Sequence, residues 1–477
     1  MIERYFRVSE RGSTIPRELR GGLVTFMAMA YIIVLNPLIL GSVTATDPSA
    51  KTDALGGILP LAQVAAVTAL VAGVMTILFG VLANYPFAIA TGLGINTLLA
   101  VTIAPLMSWP EAMGLVVING LIIVILAVTG FRTAVFNAVP TELKTAIAVG
   151  IGAFIAMIGL VDSGFVRRLP DEANTTVPVG LGIDGSIASW PTFVFVLGLL
   201  IVGVLVARGV RAGILIGVVL NTVIAIVVEA LAQVGPGGPD NPGGWSLAVP
   251  ELPSQIVGMP DLSLVGQVSF GAFARLDIIT VVLLIFTLVL ANFFDAMGTL
   301  TGLGRQAGLN DEQGKLPNVG RALVVEGAGA VAGGAASSSS NTLFVESAAG
   351  IAEGARTGLA NVLTGLLFLL AMFFTPLYAI VPVEAAAPAL VVVGALMFRQ
   401  ITGIELDDLR TAIPVFLTVV VMPFTYSIAN GIGAGFISYV VLAALTGRAR
   451  QVHPLMWVVA VLFVGYFGVG PLRELLG

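Results

Sequence analysis

The chain has 477 residues, of which 57% are hydrophobic and 10% charged, with a mean hydropathy of +1.03 and a formal net charge of −5. A soluble domain carries about 25% charged residues, so a water-covered globule is excluded, and without a basic patch interleaved with aromatics no nucleic-acid partner is expected. Cysteine is absent and His453 is the only histidine, which excludes disulfides, thiol nucleophiles and sulfur-bound metal, so no enzyme, metal or cofactor is expected.

Apolar runs long enough to cross a ~30 Å hydrocarbon core recur from end to end, so they are not one signal peptide. In chain order, the punctuation predicts spans at 19–41, 62–83, 86–105, 112–130, 142–160, 189–207 and 213–232. A Pro/Gly-rich stretch at 233–272 follows. The second set runs 274–299, 319–335, 339–353, 357–378, 386–398, 410–427 and 430–446. A last apolar run, 455–470, either spans or lies in the interface, and His453 just before it is expected to be solvated. The bilayer is the expected surrounding partner.

Charge placement supports this order. With a cytoplasmic N-terminus, seventeen Lys and Arg fall inside, among them Arg132, Arg356 and Arg399, against four outside: Lys51, Arg167, Arg168 and Arg275. Seven spans per half put the second half in the membrane upside down, the inverted-repeat plan of many secondary transporters. The predicted fold is therefore an all-α polytopic membrane protein of 14 spans in a 7+7 inverted repeat. Spans three and ten are irregular at matching places, with Thr91-Gly92-Leu93-Gly94 in one and Ser337–Ser340 in the other. Each reads as a short strand feeding a half-helix near mid-membrane. Backbone of that kind is tolerated only where protein or a cavity covers it. Glycines such as Gly57 and Gly73 are expected only to let helices pack closely.

Acidic residues inside apolar spans cost about 2.5–3.5 kcal/mol on insertion scales. Asp295 lies well inside span eight, Glu346 where the span-ten half-helix starts, Glu326 in span nine and Glu229 near the end of span seven. Glu353 and Glu384 sit near span ends and are expected to reach water. A half-helix N-terminus favours a carboxylate or a polar ligand. Asn96 then faces Glu346, with the donors and acceptor that suit the edge of a planar heterocycle, and Phe344 offers a stacking face. The expected substrate-binding set is Asn96, Asp295, Phe344, Glu346, Gly94 and Thr342. The titratable candidates are Asp295, Glu346 and Glu326; of these, Asp295 has no helix end to stabilise its anion.

At these residues the chain resembles the nucleobase–ascorbate transporter superfamily, and within it the azaguanine-resistance-type adenine/guanine/hypoxanthine permeases. The stretches that carry the resemblance are "TFMAMAYIIVLNPLIL" (25–40), "NYPFAIATGLGINTLLA" (84–100), "ANFFDAMGTLTGLGRQAGLNDEQGKLPNVGRAL" (291–323), "SSSSNTLFVESAAGIAEGARTGL" (337–359) and "PVFLTVVVMPFTYSIANGIGAGFISY" (414–439). The resemblance implies a cytoplasmic N-terminus (1–18), a core domain (19–130 and 274–378) and a gate domain (142–232 and 386–446). The loop 233–273 falls outside the cell, and 447–477 forms a C-terminal segment. Asp295, Glu346, Asn96 and Phe344 match the family's site positions. Thr91 stands where the family usually has Pro, Ile95 and Thr97 flank Asn96 in place of Leu and Ala, and a Ser run with Asn341 replaces Thr. The implied activity is purine nucleobase import by proton symport, with Asp295, Glu346 and Glu326 as the proton-coupling residues and Asp295 as the expected proton carrier, by an elevator or rocking motion in the inner (plasma) membrane. A homodimer is one option for the assembly. The rivals are a same-fold carrier of another nucleobase or of an anion, and a channel.

Overall fold

The computed structural model describes residues 2–476 apart from 46–49, 169–178, 184, 211, 239, 253–254, 310–315, 318 and 379. Among the described residues, ten helices are long and apolar enough to cross a membrane. The first half runs α1 (Ile15–Leu40), α2 (Leu61–Ala83), β1 (Ile89–Thr91), α3 (Leu93–Leu106), α4 (Trp109–Val128), α5 (Phe131–Ala138), α6 (Thr141–Asp162), α7 (Trp190–Ala207) and α8 (Gly213–Ala232). A short antiparallel strand pair, β2 (Val166–Arg168) with β3 (Val179–Leu181), lies between α6 and α7. The second half runs α9 (Ile278–Gln306), α10 (Val319–Ala335), β4 (Asn341–Leu343), α11 (Ser347–Ala352), α12 (Gly358–Tyr378), α13 (Val383–Gly403), α14 (Leu409–Phe424) and α15 (Ile428–Leu445). The terminal run forms one helix, α16 (Pro454–Leu476), packed on α15 and α5.

The helix contacts come in pairs related by the repeat. α4 packs on α10 as α12 packs on α2, and α1 meets α11 as α9 meets α3. The remaining helices obey the same exchange: α6 on α14 mirrors α13 on α7, and α7 on α8 mirrors α14 on α15. This is the inverted seven-plus-seven repeat. Small residues make the close crossings. A Cβ on Gly358 would lie 1.8 Å from the Gly80 carbonyl oxygen, and one on Gly73 would lie 2.9 Å from that of Gly365. Gly57, by contrast, lies in a loop, where its N–H donates to Asp53 rather than packing a helix crossing.

Both irregular spans are a short strand followed by a half-helix, and the two strands pair antiparallel with Ala90 opposite Thr342. Strand hydrogen bonding satisfies backbone groups that a helix would have paired internally. The pairing extends on both sides, through Gly92 N–H to the Ser340 carbonyl at 2.9 Å and Phe344 N–H to the Ala88 carbonyl at 3.0 Å. The Ser run is the turn from α10 into β4: Ser337 and Ser339 have φ of 58° and 76°. That left-handed backbone is costly outside glycine and persists only where the surroundings hold it. Gly333 leaves room there, since a Cβ would stand 1.9 Å from the Ser339 carbonyl oxygen.

Candidate functional site

The strand crossing points both half-helices at one cavity of about 390 Å³. Its walls come from α1 (Tyr31), the start of α3 (Gly92 to Ile95), α9 (Phe294, Asp295, Thr299), the β4–α11 junction (Thr342 to Glu346), α6 and α13. Gly94, Asp295, Thr342, Phe344 and Glu346 are therefore brought together, as expected from the sequence. Glu346 is the residue that begins α11. Its Oε1 accepts a hydrogen bond from the hydroxyl of Tyr31, a fully buried side chain on α1. Tyr31 escaped residue-level sequence reading; the available signal was a lone phenol inside the apolar "AMAYIIVLNP". Phe344 is almost wholly buried and lines the cavity. No Lys or Arg is among the described residues that line it.

Asn96 does not line the cavity. It is fully buried behind the wall, where its Nδ2 donates to Asn36 Oδ1 at 2.7 Å and its Oδ1 accepts from Thr91 Oγ1 at 2.8 Å. Asn36 in turn donates to Thr68 Oγ1 at 2.7 Å and to the Ser338 carbonyl at 3.1 Å. This chain of buried hydrogen bonds ties α1, α2, α3 and the turn before β4. Thr91 is a member of it because it carries the hydroxyl that Pro lacks.

Glu326 also stands away from the cavity. Its Oε2 accepts from Arg132 Nη1 at 2.5 Å, and both side chains are fully buried. Arg132, counted from the sequence with the charges of the cytoplasmic side, is thus buried and paired with a carboxylate inside the fold. Glu384, expected to reach water, is 1% exposed and accepts from Ser246 N–H at 3.0 Å. Glu353 is likewise largely covered and pairs with Arg20 at 2.8 Å. Glu229 holds the turn after α8, accepting from Val234 N–H at 3.0 Å and Trp245 Nε1–H at 2.8 Å. Glu18, not singled out in the sequence, is buried and accepts from the N–H groups of Arg356 and Thr357 at the start of α12. His453 is exposed, as expected.

A bundle of apolar helices with two half-helices converging on a polar-tipped cavity is the build of a multi-pass membrane carrier. The chain belongs to the Permease family, which matches residues 17–433. It is 38% identical over 474 residues to the guanine/hypoxanthine permease PbuG of Bacillus subtilis (strain 168), covering 98% of this chain and 99% of that protein. It is 34% identical over 467 residues to the adenine permease AdeP of Escherichia coli (strain K12), covering 97% and 95%. These relatives bear out the family resemblance carried by the sequence. Among solved structures, the transmembrane domain of the cyanobacterium bicarbonate transporter BicA aligns with a TM-score of 0.58 at 15% identity, over 88% of this chain and 97% of that one. Murine Slc26a9 in the inward-facing state aligns with a TM-score of 0.59 at 12% identity, over 91% and 68%. At those identities the likeness concerns the fold alone.

Proposed function

We propose that this protein is a secondary active transporter that imports purine nucleobases, namely hypoxanthine, guanine or adenine, by proton symport across the inner membrane. One observation carries the reading: the cavity joins two carboxylates, a phenol and two phenylalanine rings, and no basic side chain lines it among the described residues. Carboxylates accept from the ring and exocyclic N–H groups of a purine, and Phe344 offers a face or edge to its plane. Among the described lining residues an anion would meet two acids and no cation, so this reading keeps the fold shared with a bicarbonate transporter and not its cargo. The names of the relatives, guanine/hypoxanthine and adenine permeases, point the same way.

Asp295, Glu346, Phe344, Thr342 and Gly94 form the substrate site in this proposal, with Asp295 as proton carrier and Glu346 as a second coupling group. Asn96 and Glu326 act from behind it. The core domain is spans one to four with eight to eleven, and the gate domain is the rest of the repeat. The N-terminus is cytoplasmic. The cavity wall includes Ile147 near the start of α6, Gln306 at the end of α9 and Gln400 near the end of α13. The positive-inside order puts all three helix ends on the cytoplasmic side, so this conformation faces inward. Movement of the core against the gate carries the site to the other face. A homodimer is one option for the assembly.

The test is uptake of radiolabelled hypoxanthine, guanine and adenine by cells lacking their own purine carriers, at several external pH values, with and without a protonophore. Uptake is expected to rise as external pH falls and to collapse with the protonophore. Sodium-dependent uptake indifferent to the protonophore overturns proton coupling and keeps the purine. Bicarbonate or sulfate transport without purine uptake overturns the substrate.

A further inference from the structure

Arg132 lies on α5, the short helix that joins α4 to α6. A buried guanidinium is tolerated when its charge is paired. Here Glu326 on α10 takes one end. The other end reaches α9: Nη2 approaches the carbonyl oxygens of Asn292 and Phe293 at 3.5 and 3.4 Å, and the guanidinium lies 5.4 Å from the Phe293 ring centroid. The next two residues of α9 are Phe294 and Asp295, both on the cavity wall. Phe293 and Phe294 meet edge to face at 4.9 Å, and Phe294 continues to Phe436 on α15 at 5.5 Å. The planar fork of arginine spreads its donors so that one nitrogen meets the carboxylate and another the two carbonyls, a separation that the compact ammonium of lysine lacks.

We propose that Arg132 is a positioning residue for the transport site: anchored by Glu326, it clamps α9 at Asn292–Phe293 and so sets where Phe294 and Asp295 face the cavity. The inference rests on the reading of that cavity as the substrate site. It also accounts for a carboxylate inside the membrane that does not reach the cavity, since Glu326 serves to anchor Arg132.

The test uses the full chain with Arg132→Lys, which keeps the charge and loses the fork, and with the double change Arg132→Met/Glu326→Gln, which leaves no unpaired charge. Each is combined with Thr299→Cys, on the cavity wall of α9 one helical turn beyond Asp295. The chain has no cysteine of its own, so N-ethylmaleimide reads this position alone. The clamp reading expects the labelling rate to change by about 2- to 30-fold, the range open to a residue acting through packed neighbours. It expects the KM for hypoxanthine to rise over a similar range in variants that elute as folded protein, with Vmax changed less. Unchanged labelling and unchanged KM in a folded variant overturn the proposal. So does loss of folded protein in both variants, which makes the pair a structural bond only. If the wild type takes up no purine, the substrate reading fails, while the labelling rates still decide the clamp.

Discussion

The amide of Asn96 is held at both atoms inside the protein, donating one Nδ2 hydrogen to Asn36 and receiving the Thr91 hydroxyl on its Oδ1. A side chain held at both ends in this way orients the α3 half-helix against α1 and leaves its own edge unavailable to a ligand in this conformation. In the proposed transport cycle its influence would run through backbone placement at Gly92 and Gly94, which do line the cavity.

Asn96→Ala therefore strands buried partners on Asn36 and Thr91, a loss of about 1–3 kcal/mol. The expected outcome is a lower melting temperature in detergent and an equal rise in the inhibition constants of guanine, hypoxanthine and adenine. Selective loss for purines with a donor and an acceptor on one edge returns Asn96 to direct ligand contact.

Glu346 and Tyr31 act as one unit across α11 and α1. Glu346→Gln keeps the volume and removes the charge, and is expected to lower purine uptake about tenfold or more while the protein still inserts. Tyr31→Phe is expected to be milder. Because the two side chains touch, the double variant should depart from additivity by about 0.5–3 kcal/mol. Strict additivity in uptake measurements separates them.

Asp295→Asn mimics a carboxyl that never releases its proton. Binding of purine is expected to persist in part, and exchange across vesicles to become independent of pH, while accumulation against a gradient is lost. Accumulation at the wild-type level removes Asp295 from the coupling step.

The closest helix crossing offers a test of packing alone. Gly358→Ala drives a methyl into the Gly80 carbonyl, at 1.8 Å before any shift. The overpacking is expected to cost about 1–3 kcal/mol and to reduce folded yield. Gly465→Ala, which meets nothing within 4 Å, is expected to behave as wild type. Thermal stability in detergent compares the two.

The sequence by itself determined the solvent, the repeat and the broken spans. Composition and span length answer directly to the thickness of hydrocarbon, and Gly and Ser clusters betray backbone that no helix can use. It also placed Asp295 and Glu346, because a carboxylate in an apolar run is conspicuous whatever surrounds it. Tertiary structure alone decided which polar groups face the cavity and which satisfy one another. Asn96 finds Asn36, Glu326 finds Arg132 and Glu346 finds Tyr31 across separations that no local pattern records. Burial makes those pairings obligatory, since an unpaired polar group in the bundle costs more than a bond is worth. Only the folded neighbours of each residue determine which partner it takes.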